Sequence, residues 1–214
     1  MTDKLSLYNG ALVDCCGERM LASLAENSET RRLLDFAWDR GAVRGALGDG
    51  PWKFATRTVE LVASTDAAPV FGYGKAFELP TDFVRTVALC ADPYLNSPVT
   101  AYSLERGFIF SDVEPLYLSY VSDDAEWGND MSLWPEDFVE YVEACLAARI
   151  IKKLTQDSKS REEVYGMKRL RLNAARNGDA MEGPTKFMPV GSFVRARMGG
   201  SGGMDRGSRR KLVG

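Results

Sequence analysis

The sequence predicts an α+β fold, in which a bundle of about four helices carries a small antiparallel β insertion and an extended C-terminal arm. Apolar residues recur at helical spacing near both ends of the chain, whereas the middle alternates with a period of two. The final stretch is rich in glycine and arginine. These three patterns predict an N-terminal helical pair (1–50), a β-rich insertion (51–131), a C-terminal helical pair that completes the bundle (132–180) and a basic arm (181–214).

The composition argues against several classes of site. The chain has 214 residues and no histidine, so imidazole bases and histidine-activated nucleophiles are excluded, and we expect no enzyme and no cofactor. No apolar run reaches the roughly 18 residues that span a bilayer, and the N-terminus lacks the pattern of a signal peptide. We therefore expect synthesis in the cytosol. The four cysteines lack the spacing of a zinc site and predict buried free thiols.

The N-terminal region predicts two helices. Asp3 is placed to cap a first helix over 4–16, and Gly17 is placed to end it. A short link precedes a second helix, which the apolar spacing predicts over 29–46.

Alternating, β-branched segments then predict a small antiparallel sheet of about four strands. The four segments are 55–62, 99–104, 108–110 and 116–121. The run 83–89 fits either a strand or a short helical turn.

Helical spacing returns after Trp134. Pro135 followed by two acidic residues is typical of a helix start, and the wide apolar stripe after it predicts a helix at the centre of the bundle. A fourth helix, capped by Ser158 or Ser160, is predicted to run to about residue 180.

Charge is distributed unevenly along the chain. The net charge is −3, but residues 181–214 carry seven basic and two acidic side chains, which leaves −8 on residues 1–180. The last helix also carries a cluster of cations, predicted as one basic face that either contacts phosphate or an acidic partner, or is simply solvated. This cluster and the basic tail are the basis of an alternative function, nucleic-acid binding. The cations are Lys168, Arg169, Arg171 and Arg176.

Paired carboxylates are the remaining route to catalysis or metal binding. Their spacing matches no calcium loop, and neighbours in sequence rarely converge on one reacting atom, so we predict solvated acids and no catalytic or metal site. A carboxylate-based hydrolase stays a further alternative that needs two acids to converge in a cleft. The pairs are Asp123–Asp124, Asp112/Glu114 and Glu136/Asp137.

The arm combines basic charge with large apolar residues, which a purely solvated tail does not need. This pattern is typical of a segment that orders on a partner, with apolar anchors in pockets and arginines paired to acids. The alternative is an arm that packs on its own domain. The predicted contacts are Phe187, Met188, Val190, Phe193, Val194, Arg195 and Arg197.

Four stretches of the chain resemble the tail tubular protein A family of short-tailed bacteriophages. They occur in order from about Leu5 to Arg197. Their sequences are LYNGALVDCCGERMLASLAENSETRRLLDFAWDRGAVRGAL, GYGKAFELPTDFVRTVALC, FIFSDVEPLYLSYVSDDAEWGNDMSLWPEDFVEYVEACLAARIIKKLT and DAMEGPTKFMPVGSFVRAR. Residues 198–214 lie beyond this resemblance.

The resemblance implies a structural virion protein at the head–tail junction, assembled in the bacterial cytoplasm. Proteins of that family form a ring, usually dodecameric, that joins the portal to a tail nozzle of the tail tubular protein B type. DNA passes through the ring without sequence-specific binding. The arm is then the portal contact, and the β-rich insertion faces the nozzle. Candidate residues on the nozzle side are Phe108, Phe110, Asp112 and Tyr117.

Overall fold

A computed structural model describes residues 2–65 and 72–182. Five α-helices and six strands in this part of the chain confirm the α+β class. The helices are α1 (Lys4–Gly10), α2 (Glu29–Asp39), α3 (Ala42–Gly48), α4 (Glu136–Leu154) and α5 (Ser158–Met181). The strands are β1 (Thr56–Leu61), β2 (Lys75–Glu78), β3 (Phe83–Cys90), β4 (Ser103–Glu105), β5 (Phe108–Ser111) and β6 (Leu116–Ser122). None of these helices is long and apolar enough to cross a membrane.

The first predicted helix forms, but it changes type halfway. Asp3 caps α1 reciprocally: the Ser6 backbone N–H donates to the Asp3 carboxylate at 2.7 Å, and the Asp3 N–H donates to Ser6 Oγ at 3.0 Å. The helix then widens into a π-helical turn, Ala11–Cys16. It ends at Gly17, whose φ of 67° is left-handed, as the sequence predicted.

The prediction of one helix over 29–46 was wrong, because the chain turns between α2 and α3. Gly41 adopts a left-handed φ of 75°, which ends α2 and redirects the chain into α3. Carbonyls at the end of α2 and in the turn after it accept hydrogen bonds from a distant side chain. Arg149 of α4 donates to the carbonyl oxygens of Ala37 and Arg40 at 3.0 Å each and to that of Gly41 at 3.1 Å.

The end of α3 is held in the same way by three separate elements. Trp52 Nε1 donates to the Ala46 carbonyl at 3.0 Å, and Arg85 of β3 donates to the Gly48 carbonyl at 3.1 Å. Arg176 of α5 donates through Nε to the Asp49 carbonyl at 3.1 Å. These bonds fix the start of the β-rich region against the helices.

α4 is the centre of the helical core, as its wide apolar stripe predicted. It packs against α1, α2, α3, α5 and the π-helical turn. Ten of its residues are buried, Phe138 and Tyr141 among them, and their rings lie close to that of Trp52. α4 begins at Glu136 with Pro135 as its cap, and α5 is capped by Asp157 rather than by Ser158 or Ser160.

The β-rich region contains two three-stranded sheets instead of one sheet of four strands. One has the order β1-β6-β3 and the other β2-β5-β4, with all neighbouring strands antiparallel. Their facing side chains form a second apolar core. On β6, Leu118 and Tyr120 point into this core, while Val121 points to the helical core.

The structure corrects one strand prediction, decides one segment that the sequence left open and adds one strand. The run 83–89 is strand β3, and its register shifts twice, which weakens the alternation that a sequence shows. The predicted strand 99–104 shortens to β4, because Val99 instead donates to the Leu89 carbonyl at 2.8 Å, at the end of β3. Strand β2 was not predicted, since four residues between turns carry little periodicity.

Candidate interaction surfaces and a buried charged cluster

The two phenylalanines predicted on the nozzle side share one outward face. Phe108 and Phe110 alternate on β5 with Ile109, whose side chain is fully buried between the sheets. The two rings therefore lie on the opposite side of the sheet, half-buried, with centroids 6.3 Å apart. Phe108 stands in register with Glu78 on one side and Glu105 on the other. This face is thus apolar at its centre and acidic at its margins.

Asp112 and Tyr117 do not join that face. Asp112 accepts a hydrogen bond from the backbone N–H of Gly74 at 2.6 Å, so it holds the chain before β2. Tyr117 points away from the core between the sheets, because its neighbours Leu116 and Leu118 point into it. Burial, followed by the nearby Glu60 carboxylate, raises the pKa of Tyr117. The four predicted residues therefore do not form one surface: Phe108 and Phe110 share a face of β5, Tyr117 lies on the face of β6 that also carries Val121, and Asp112 follows the end of β5.

The four cations of the last helix do not form one basic face. Lys168 and Arg171 lie on the side of α5 that also carries buried Val164 and Ala175. Arg176 donates a hydrogen bond to the Asp49 carbonyl at the end of α3. Arg169 is exposed on the outer side. Arg171 likewise donates to the carbonyl of Glu140 in α4, so two of the four predicted phosphate contacts bind the protein itself, which does not favour nucleic-acid binding.

The predicted portal contacts fall outside the described residues. They are Phe187, Met188, Val190, Phe193, Val194, Arg195 and Arg197.

The paired carboxylates are engaged separately. Asp123 forms an ion pair with Arg44 of α3, and Asp124 accepts from the Glu126 backbone N–H at 2.9 Å. Glu114 pairs with Lys75. Among residues 2–65 and 72–182, no cluster of three or more acidic, cysteine or histidine side chains has the geometry to hold a metal.

A buried charged cluster that the sequence analysis missed lies where α4, α5 and the π-helical turn meet. Glu143 of α4 is only 9% exposed, and its Oε2 lies 3.5 Å from Nη1 of Arg171. The same Nη1 donates to the Glu140 carbonyl at 3.0 Å and to Cys15 Sγ at 3.3 Å. The sequence carries one signal for this cluster: Glu143 is the only acidic residue in the otherwise apolar run 141–148 of α4. A charged residue at such a position is rarely buried unless it has a partner.

Close packing places the Glu143 carboxyl group against the backbone of α1. A Cβ built on Gly10 would lie 2.0 Å from Oε1, so a larger residue at this position requires the Glu143 carboxyl group to move. The carboxyl group also borders an open cleft of about 550 Å³, whose lining includes Asn9, Val13 and Met20. The Asn9 side chain donates to the Leu21 carbonyl and accepts from the Leu21 N–H, which fixes the segment between the π-helical turn and α2.

The electrostatics of this cluster move the titration of Glu143 close to neutral pH. Burial is the largest cause and raises the pKa of Glu143 to about 7, although Arg171 opposes the shift. Asp14 and Glu140 raise it further. Burial likewise raises the pKa of the Cys15 thiol to about 11, so the thiol stays protonated. All four cysteines are free, as predicted, and Cys15, Cys90 and Cys145 are buried, whereas Cys16 is only partly buried.

A second polar cluster lies within the β-rich region, around the carboxylate of Asp82. The Asp82 carboxylate accepts from Tyr120 OH at 3.1 Å, from Arg57 at 3.2 Å and from the Ser122 hydroxyl. Burial raises the pKa of Asp82, but these hydrogen bonds outweigh it, so the pKa lies below its ordinary value. Close by, Arg44 of α3 donates to the Phe83 carbonyl at 2.8 Å.

In comparisons with known proteins, no family model and no curated protein matched this chain.

Proposed function

We propose that this chain is a head-to-tail adaptor of a short-tailed bacteriophage, a structural virion protein whose copies form a ring between the portal and the tail nozzle. The observation that carries the proposal is the set of four stretches that resemble the tail tubular protein A family, in order from about Leu5 to Arg197. The ring is dodecameric in the family it resembles.

The order of the elements supports this role. Helices at both ends of the described chain pack around α4, and a β-rich region is inserted between them. That is the plan the resemblance implies, with a helical ring wall, a β-rich portion toward the nozzle and a C-terminal arm for the portal. The outward pair Phe108 and Phe110, bordered by Glu78 and Glu105, offers the β-rich side an apolar anchor with an acidic rim.

The charge of the chain is also consistent with a DNA channel. Residues 1–180 carry a net charge of −8, which provides no general phosphate-gripping surface, so DNA can slide past. The arm carries +5 and supplies one modest contact per copy, and such contacts add up around a ring.

Mixing the protein with the portal protein of the same phage tests the proposal directly. We expect a ring docked on the portal by electron microscopy, and loss of docking when residues 181–197 are deleted. Phe193→Ala should weaken docking more than Arg209→Ala, since buried aromatic anchors are common hot spots. Undiminished binding by the truncated chain would refute the role of the arm. A band shift with DNA at moderate salt, without portal binding, would support nucleic-acid binding instead.

A further inference from the structure

The open cleft beside Glu143 has apolar walls that the described residues leave in contact with water. Leu5, Val13 and Met20 line it, and Val13 and Met20 are 43% and 59% exposed. The volume of the cleft, about 550 Å³, is within the range of pockets that bind ligands. A partner that covers these walls therefore gains the free energy of apolar burial.

The same cleft is acidic. Asp3, Asp14 and Glu143 line it, and its lining includes no lysine or arginine. Within the described part of the chain, Asp14 forms no ion pair. The cleft therefore favours a partner that carries positive charge next to apolar side chains.

The buried carboxyl group of Glu143 has one oxygen without a hydrogen bond in the described structure. Oε2 lies 3.5 Å from Nη1 of Arg171, whereas Oε1 accepts no hydrogen bond from residues 2–65 or 72–182. Oε1 lies against Gly10, and both residues line the cleft. A buried acceptor without a donor is costly. A cationic donor that enters the cleft thus gains a charge-assisted hydrogen bond as well as charge compensation.

One segment outside the described residues has the chemistry that this cleft requires. Residues 209–213 are Arg-Arg-Lys-Leu-Val, three cations followed by two aliphatic side chains. They lie beyond the stretches that resemble a known family, so the proposed portal contacts do not include them. Between Glu182, at the end of α5, and Arg209 the chain can span at most about 90 Å. The segment can therefore reach a cleft on another copy of this chain.

We propose that residues 209–213 of one copy bind in this cleft of a second copy. The three cations then lie beside Asp14 and Glu143, and the two aliphatic side chains cover Val13 and Met20. The proposal rests on the ring of the proposed function, in which neighbouring clefts repeat around one axis and each bound segment links one copy to the next. It adds a contact between copies that is separate from portal docking.

Site-specific cross-linking of the full chain tests this contact. Met20→Cys and Leu212→Cys chains are mixed and treated with a short bismaleimide, and the wild type measures the background from Cys16. We expect a covalent dimer from the mixture, at a yield well above that of either variant alone. Leu104→Cys, exposed on β4, is the matched control and should not cross-link to Leu212→Cys.

A change of charge in the cleft provides a second measurement. Asp14→Lys, added to the Met20→Cys chain, should lower the yield of the mixed dimer by up to about fivefold, the effect of one exposed ion pair. Glu162→Lys, at an exposed position of α5 that does not line the cleft, changes the net charge equally and should leave the yield unchanged. An equal loss in both variants would mean that only net charge matters and would overturn the cleft as the binding site.

The outcomes separate this contact from the function on which it rests. A ring docked on the portal, seen by electron microscopy without the mixed cross-link, would overturn the contact and leave the adaptor role standing. A double variant, Met20→Cys with Leu212→Cys, that cross-links only within single chains would also overturn it. A chain that stays monomeric with and without portal protein would overturn both. Unfolding curves of each variant establish that the fold is intact, so that a lost cross-link reports on the contact.

Discussion

The carboxyl group of Glu143 occupies the space that a side chain on Gly10 would fill. The two elements that carry them, α4 and α1, approach so closely that a Cβ at position 10 would lie 2.0 Å from Oε1. A buried acid is therefore held between the backbone of α1 at Gly10 and the guanidinium of Arg171.

Gly10→Ala should destabilise the protein. Alanine favours a helix, but here it displaces a buried carboxyl group, and overpacking of this kind costs about 1–3 kcal/mol. Urea unfolding measures the loss. Gly166→Ala is the matched control: its Cβ meets nothing within 4 Å, so it should instead gain roughly 0.5–1 kcal/mol. If both variants lose equal stability, the close approach does not matter.

Glu143 should make the free energy of unfolding fall between about pH 4.5 and 7. Its folded-state pKa of about 7 lies above the ordinary 4.5, so in this range the folded state holds a proton that the unfolded state releases. The stabilisation is complete below pH 4.5 and is lost as the pH rises through 7. Unfolding curves across this range measure the slope, and Glu143→Gln should flatten it.

The other groups with shifted pKa values contribute little to the pH dependence of stability between pH 4.5 and 7. The chain has no histidine, and the shifted carboxyl groups such as Asp35 and Asp82 have pKa values lowered from 3.8, below the range in question. Glu140→Gln changes the other acid beside Arg171 and should keep most of the slope, since the Glu140 side chain is half exposed. A slope that survives in Glu143→Gln would rule out Glu143 as its source.

Arg149→Ala should lower stability through the end of α2. The Ala37 and Arg40 carbonyls lose this donor, whereas the Gly41 carbonyl keeps the backbone N–H of Gly45. Because the arginine is exposed, we expect a loss of about 1–2 kcal/mol, at the lower end for charged hydrogen bonds. Thermal and urea unfolding measure the effect. Arg149→Lys keeps the charge but loses the planar fork, so it should recover only part of the loss. Arg169→Ala, at an exposed position of α5, should change little.

Arg106→Asn should stabilise the hairpin that joins β4 to β5. Arg106 and Gly107 have φ values of 50° and 86°, the combination of a type I′ turn, for which Asn-Gly is preferred. A left-handed conformation costs an ordinary side chain about 1–2 kcal/mol, and asparagine should recover part of that. The urea midpoint should rise for Arg106→Asn and stay unchanged or fall for Arg106→Ala.

Local signals in the sequence predicted the elements whose causes are local. The capping box at Asp3, the left-handed stop at Gly17 and the start of α4 all depend on residues within one or two turns. The break at Gly41 was missed because apolar spacing continues from Ala37 to Ala42 across it. The donor that completes this break, Arg149, lies more than 100 residues further along the chain, beyond the reach of periodicity.

The surfaces were predictable only in part. The sequence analysis grouped Phe108 and Phe110 with Tyr117, but the burial of alternate side chains on β5 and β6 places Tyr117 on a different face. The four cations of α5 look equivalent in sequence, yet helical rotation and tertiary contacts draw Arg171 inward, where it meets Glu143. Which side chains meet across elements depends on packing that a single sequence does not display.

The end of α3 accepts hydrogen bonds from three separate segments, and this has a consequence for the cooperativity of unfolding. Because its last carbonyls are bound from the segment after α3, from β3 and from α5, the helix cannot open alone without breaking bonds to all three. Its backbone amides should therefore exchange with solvent in the same opening event as those of β3 and α5. We therefore expect the helices and the sheets, linked by these hydrogen bonds, to unfold as one cooperative unit.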